Sequence, residues 1–148
     1  MRYERKDARE KFCFTIDGKG TRAIDDAISI EKVDPSTLNA DAGVTSSKKY
    51  WKIGIHIADL NTIVAENKAM DKEAAQRVNS KYIGKFFHKL MLPRLISDQL
   101  GSLKDKKHNK VFGQPERFAI SLYLYVDQDG MIVYRQKTVE KEQIISSS

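Results

Sequence analysis

The stretch TIDGKGTRAIDDAISI places Asp17, Asp25 and Asp26 close together in a chain whose formal net charge is +6. Carboxylates gathered near apolar residues repel one another and are costly to desolvate. A divalent cation relieves both costs. Hard oxygen ligands suit Mg²⁺ or Mn²⁺, which complete their shells with water and phosphate oxygens, and paired ions clamp the attacking and leaving oxygens of a phosphodiester. Aspartates at loop ends also serve as turn and cap residues for backbone amides, and spacing alone leaves both roles open. Adjacency adds a condition, because successive side chains of a regular strand point to opposite faces. Asp25 and Asp26 therefore share an ion only from a turn or bulge; otherwise each has its own partner.

The elements that must position these groups follow from periodicity. Residues 12–16 and 27–33 are expected as strands, joined by a loop with Gly18 and Gly20 that can fold back. Residues 50–59 form a third strand, with Trp51, Ile53, Ile55 and Ile57 on one face. Residues 34–49 are small, polar and non-periodic, the pattern of an exposed loop. MDKEAAQRVNSKY is expected as a helix capped by Asp71. LMLPRLISDQLGSL, with Pro93 and Gly101, is expected to be extended and then to form a turn or short helix. DQDG (127–130) joins two strands as a hairpin, the first alternating Phe118, Ile120, Leu122, Leu124 and Val126. Strands and helices mix without βαβ repetition, so the fold class is α+β, a mixed and mainly antiparallel sheet with a few flanking helices.

The 148 residues suffice for one domain, with a charged segment 1–11 ahead of a domain over 12–148. The basic balance permits a polyanionic partner. The lysines of 104–110 are either solvated or in contact with phosphates. The single cysteine, Cys13, rules out an internal disulfide and sits in an apolar run, as a buried inert thiol would. No apolar run is long enough to span a bilayer, and the N-terminus lacks the core of a secretory signal. The expectation is an intracellular protein, in the cytoplasm, with an organelle or the nucleus as the alternatives.

Five ordered segments together resemble the RNB family, the catalytic domain of ribonuclease II and ribonuclease R-type exoribonucleases. They are TIDGKGTRAIDDAISI, KIGIHIADLNTIV, MDKEAAQRVNSKY, MLPRLISDQLGSL and ERFAISLYLYVDQDGMI. The resemblance implies a 3′→5′ exoribonuclease that hydrolyses single-stranded RNA to nucleoside 5′-monophosphates with Mg²⁺ or Mn²⁺. Asp17, Asp25 and Asp26 match three of the family's four acidic positions, as catalytic and metal-binding residues. Tyr82 matches a tyrosine that stacks on an RNA base, where core packing is the alternative. His56, between isoleucines, is expected to be a hydrogen-bonded structural residue. Asp59 is expected to cap the next segment or to stand in for a missing carboxylate.

The chain also departs from the family pattern. Ala23 occupies the fourth acidic position, which removes a charge and an oxygen ligand, and Gly101 stands where the family often has cysteine. None of Arg77, Arg94, Arg117 or Arg135 matches the family's charge-stabilising arginine. The resemblance implies the front portion of a catalytic domain, with a C-terminal half and RNA-binding barrels belonging to a longer protein, and an RNA-degradation complex as a partner. The competing expectation is an RNB-like relative without catalysis that survives as an RNA-binding or scaffold protein.

Overall fold

The computed structural model describes residues 5–38, 44–83, 87–104, 116–135, 140–144 and 146–147. Its strands are β1 (Lys6–Asp7), β2 (Cys13–Phe14), β3 (Asp26–Val33), β4 (Tyr50–Ala58), β5 (Lys81–Ile83), β6 (Phe87–Lys89), β7 (Arg117–Asp127), β8 (Ile132–Arg135), β9 (Glu140–Ile144) and β10 (Ser146–Ser147). One helix, α1, spans Ala69–Arg77. A wide helical turn covers Leu95–Leu100. The basic loop from residue 105 onward lies outside the described residues, as do 39–43 of the polar loop. The part of that loop nearest β3 forms a short 3₁₀ turn over Pro35–Thr37, capped by Asp34. No helix among the described residues is long and apolar enough to cross a membrane.

The sheet runs β1-β9-β7-β4-β3-β2-β10, with β8 paired to β7. The pairs β2–β3, β3–β4, β4–β7 and β7–β9 are antiparallel. β10 begins two residues after the end of β9 and pairs with β2, so the path returns to its start and the sheet closes on itself. The fold class is thus the mixed, mainly antiparallel α+β arrangement expected. Part of the charged N-terminal stretch joins it, because β1 pairs in parallel with β9 and Ala8 is buried.

Closure decides which face of each strand is inside. The aliphatic stripe of β4 faces outward, and Ile57 is 54% exposed. Its cross-strand neighbours Ile28, Ile30, Ile120, Leu122 and Leu124 share that outer face. The interior instead receives Ala27, Ser29, Gly54, His56, Ala119, Ser121, Tyr123 and Glu142. A closed sheet of few strands has room only for small side chains and a few large ones. Gly54 shows how tight this space is. A Cβ there would fall 2.7 Å from His56 Nε2 and 2.8 Å from Tyr123 Cε1, and closer still to Ser29 Oγ.

Polar groups inside must be paired, and they are. Tyr123 Oη donates to the Glu142 carboxylate at 2.7 Å. His56 lies 2.7 Å from Ser121 Oγ through Nδ1 and 2.8 Å from Ser29 Oγ through Nε2, the structural role expected of it. Lys11 Nζ sits 3.7 Å from Glu142 and 4.2 Å above the Tyr123 ring. Burial alone would push the Glu142 carboxyl up; hydrogen bonds from His56, Ser121 and Tyr123, with the Lys11 charge, outweigh it and hold Glu142 well below the ordinary glutamate value. Cys13 is buried in the adjoining apolar cluster with Ile24, Ala27 and Leu103, and burial pushes its thiol up to about 11.

The helical layer packs separately, around Ala74, Leu92 and Ile96 with Leu60, Ile63 and Met91. Asp71 is not the cap of α1. Lys68 occupies that position, and Asp71 in the first turn accepts from the Asn67 amide at 2.8 Å. A Cβ at Gly101 would run into Leu60 Cδ2, so Leu60 fills the space that a side chain at 101 would take. The hairpin forms as the DQDG pattern demands: Gly130 has φ 78°, and Asp127 Oδ1 accepts from the amides of Asp129 and Met131.

One tie reaches from the helical layer to the acidic loop. Ser102 Oγ accepts from the Ile24 amide at 3.0 Å, and the Leu103 amide donates to the Ile24 carbonyl at 2.7 Å.

Three outcomes follow from this packing. Gly54→Ala should destabilise the fold by about 1–3 kcal/mol through overpacking, read as a lower midpoint in thermal unfolding. Ser102→Ala leaves the buried Ile24 amide unpaired; it should cost about 1–3 kcal/mol in denaturant titration and speed hydrogen exchange at Ile24. The depressed Glu142 carboxyl contributes stability that is complete above the ordinary glutamate value of 4.5 and is lost as pH falls from there toward the folded-state value. Glu142→Gln should therefore lower stability near neutrality by about 1.5–3 kcal/mol and flatten the acid limb of the stability–pH curve.

Candidate functional site

The acidic loop is built by a turn and an anchor. Gly20, with φ 87°, takes a left-handed conformation that glycine adopts without strain. The Thr21 amide and hydroxyl both return to the Gly18 carbonyl, at 3.0 and 2.7 Å. The chain thus reverses after Asp17 and is pinned again at Ile24. Asp25 follows, its carbonyl accepting from the Ala58 amide at 2.9 Å, and Asp26 opens β3 opposite Ile57.

Asp25 lines a cleft of ≈ 640 Å³ together with Ala23, Tyr82, His88, Arg94 and Asp98. Asp17 and Asp26 are exposed and are not among the residues lining the cleft, so the adjacent pair divides as strand geometry requires. Solvent reaches Asp25, yet the surrounding protein crowds it. Its carboxyl is pushed up, first by desolvation and then by the charges of Asp26, Asp17 and Asp98. The aspartates are electrostatically coupled. Among the described residues, however, no three His, Cys, Asp or Glu side chains are drawn together tightly enough to hold a metal ion by themselves.

Tyr82 stands at the cleft on β5, 67% exposed. Its ring meets His88 of β6 edge-on, with centroids 5.2 Å apart and planes at 67°. The ring is accessible rather than packed in a core, which leaves a face open for stacking. Asp59 is not among the residues lining this cleft. It caps the turn Leu60–Thr62 by accepting from the Asn61 amide, and Arg5 holds it in a buried ion pair at 2.6 Å. It does not stand in for the carboxylate absent at Ala23.

Asp98 was not distinguishable from sequence. It lies far along the chain from the aspartate stretch, and only the wide turn after Pro93 brings it to the cleft, where its Oδ1 accepts from Ser97 Oγ at 2.7 Å. His88 and the two cleft arginines, Arg22 and Arg94, likewise gain meaning only from the fold. Arg77 and Arg117 are engaged elsewhere, Arg77 with Glu73 and the Leu90 carbonyl and Arg117 with the Lys104 carbonyl; the Arg135 side chain lies outside what the structure describes.

Comparison with known proteins places these features in a family. The RNB domain family matches residues 5–147. Ribonuclease R of Chlamydia trachomatis is 34% identical over 131 residues, covering 88% of this chain and 16% of that protein. Exoribonuclease 2 of Aeromonas hydrophila is 35% identical over 121 residues, covering 81% of this chain and 14% of that protein. This chain therefore corresponds to about a sixth of the length of such relatives. Among solved structures, Mycoplasma genitalium RNase R in complex with ribose methylated single-stranded RNA shares the fold, with a TM-score of 0.75 at 23% identity over 97% of this chain and 18% of that one. The family match over residues 5–147, the ordered segments and the closed sheet carrying the aspartate loop have one reading: the chain belongs to the RNB domain family.

Proposed function

We propose that the chain is the front portion of a 3′→5′ exoribonuclease domain that binds single-stranded RNA and hydrolyses it to nucleoside 5′-monophosphates with Mg²⁺ or Mn²⁺. The observation that carries this reading is the placement of Asp25, electrostatically coupled to Asp17, Asp26 and Asp98, in one cleft with the exposed ring of Tyr82. Relatives named ribonuclease R and exoribonuclease 2, and a shared fold with an RNase R bound to RNA, support it.

The donor set suits a hard divalent ion in one mode. Mg²⁺ is commonly held by one or two carboxylates and keeps water or phosphate oxygens in its other positions, so a three-carboxylate cage is not required. Asp25 is the central ligand in this reading, with Asp17 and Asp26 as further carboxylates. Such an ion, when bound, supplies charge neutralisation at the phosphodiester and a more acidic water. Tyr82 stacks on a base and aligns the strand, a contact that tolerates any sequence and contributes about 1–3 kcal/mol per base. The raised Asp25 carboxyl reflects desolvation first and then repulsion from Asp26, Asp17 and Asp98, and a bound cation offsets both.

Ala23 lines the same cleft without a carboxylate, and this observation favours a second reading, an RNA-binding relative with little or no turnover. Ala23→Asp discriminates the two. In the full-length protein, with 3′-labelled single-stranded RNA and Mg²⁺ or Mn²⁺, Ala23→Asp should release mononucleotides about 10²–10³-fold faster than the same protein carrying Ala23, the scale of one electrostatic group at a reacting centre. Asp25→Asn should abolish release in either background. Intact RNA with every protein and both metals would leave the binding reading in place and remove the hydrolytic one.

A further inference from the structure

The cleft poses a charge problem that the acidic residues cannot solve. Asp25 and Asp98 present negative charge to it, and a single-stranded nucleic acid brings one more negative charge with each phosphate. Carboxylates and phosphates repel, and the low-dielectric walls of a cleft strengthen the repulsion. A stacking platform such as Tyr82 cannot act unless the strand is admitted first.

Two arginines are among the residues lining the same cleft, and they come from separate segments. Arg22 sits in the reversal between Gly20 and Ile24, and Arg94 immediately precedes the wide turn Leu95–Leu100. Both are exposed. Among the described residues neither makes a hydrogen bond or an ion pair, although Asp25 and Asp98 line the same space. Arginine beside carboxylates ordinarily forms forked pairs with them; here the two pairs of opposite charges stay separate. The formal cations balance the carboxylates of the cleft, and their planar donor forks match phosphate geometry.

We infer that Arg22 and Arg94 form a phosphate grip that holds the backbone of a single strand on either side of the base stacked on Tyr82, independently of any metal. This inference rests on the RNA-binding reading above and adds which residues neutralise the backbone. Arg94 thereby gains a role in this chain although it matches no arginine of the family pattern.

The test is the salt dependence of binding, measured by fluorescence anisotropy with a short 5′-labelled oligouridylate in EDTA. Each phosphate contact on a single strand contributes about 0.7 to the slope of log affinity against log salt between about 50 and 200 mM. Arg22→Gln and Arg94→Gln should each lower the slope by about 0.7, and the double variant by about 1.4. Arg22→Lys and Arg94→Lys, which keep the charge, should retain the slope. Lys32→Ala, an exposed charge loss on β3 away from the cleft, should leave it unchanged. Thermal unfolding coincident with the natural chain confirms that the variants are folded. If the natural chain binds but the Gln variants keep its slope, or lose no more than Lys32→Ala does, the grip is refuted and the RNA-binding reading stands. If the natural chain does not bind the oligonucleotide, that reading fails and the grip fails with it.

Discussion

The buried carboxylate of Glu142 is the constraint on which the rest of the sheet depends. An ionised group inside a closed sheet is tolerable only when several donors reach it, and here they come from β4, β7 and the segment before β2. His56 on β4, Ser121 and Tyr123 on β7 and Lys11 before β2 thus converge from three stretches of chain, and each is fixed by what it gives to Glu142 or to its neighbours. Satisfying that one group sets the register of β9 against β7. It also demands a residue without a side chain at position 54, because the His56 and Tyr123 rings fill the space beside it.

From that interior the site is reached in two steps. β3 is held against β4, which places Asp26 and then Asp25 at the strand's beginning. The helical layer supplies Ser102 and Leu103, which grip Ile24 and so fix the loop from its other end. The acidic loop is thereby suspended between the closed sheet and the turn after Pro93. The same turn delivers Asp98 and Arg94 to the cleft, so the carboxylates and the cations that offset them are positioned by one element.

Much of this was legible in the residues. Period-two alternation marked β3, β4 and β7, and the DQDG turn marked the hairpin, because local backbone preference and alternation act over a few residues. The crowding of Asp17, Asp25 and Asp26 marked the loop for the same reason. Alternation does not say which face is inside. Isoleucines at 53, 55 and 57 suggest a core face, but the closed sheet has too little internal volume for them and takes glycine, serine and histidine instead. Asp98, Arg94 and Arg22 carry no local signature of a site. Their meaning comes from long-range packing, as does the exclusion of Asp59, whose carboxylate is spent on Arg5.

An aliphatic exterior around a polar interior also has a thermal consequence. Unfolding raises heat capacity mainly by wetting apolar surface, while newly wetted polar surface lowers it. Here Ile30 and Ile57 are 51% and 54% exposed in the native state and the rest of the stripe is only half-buried, while the interior that opens is rich in hydroxyl, imidazole and carboxylate groups. The heat-capacity increment per residue should fall below the usual ~12–15 cal/mol/K, so stability would vary unusually little between cold and warm conditions.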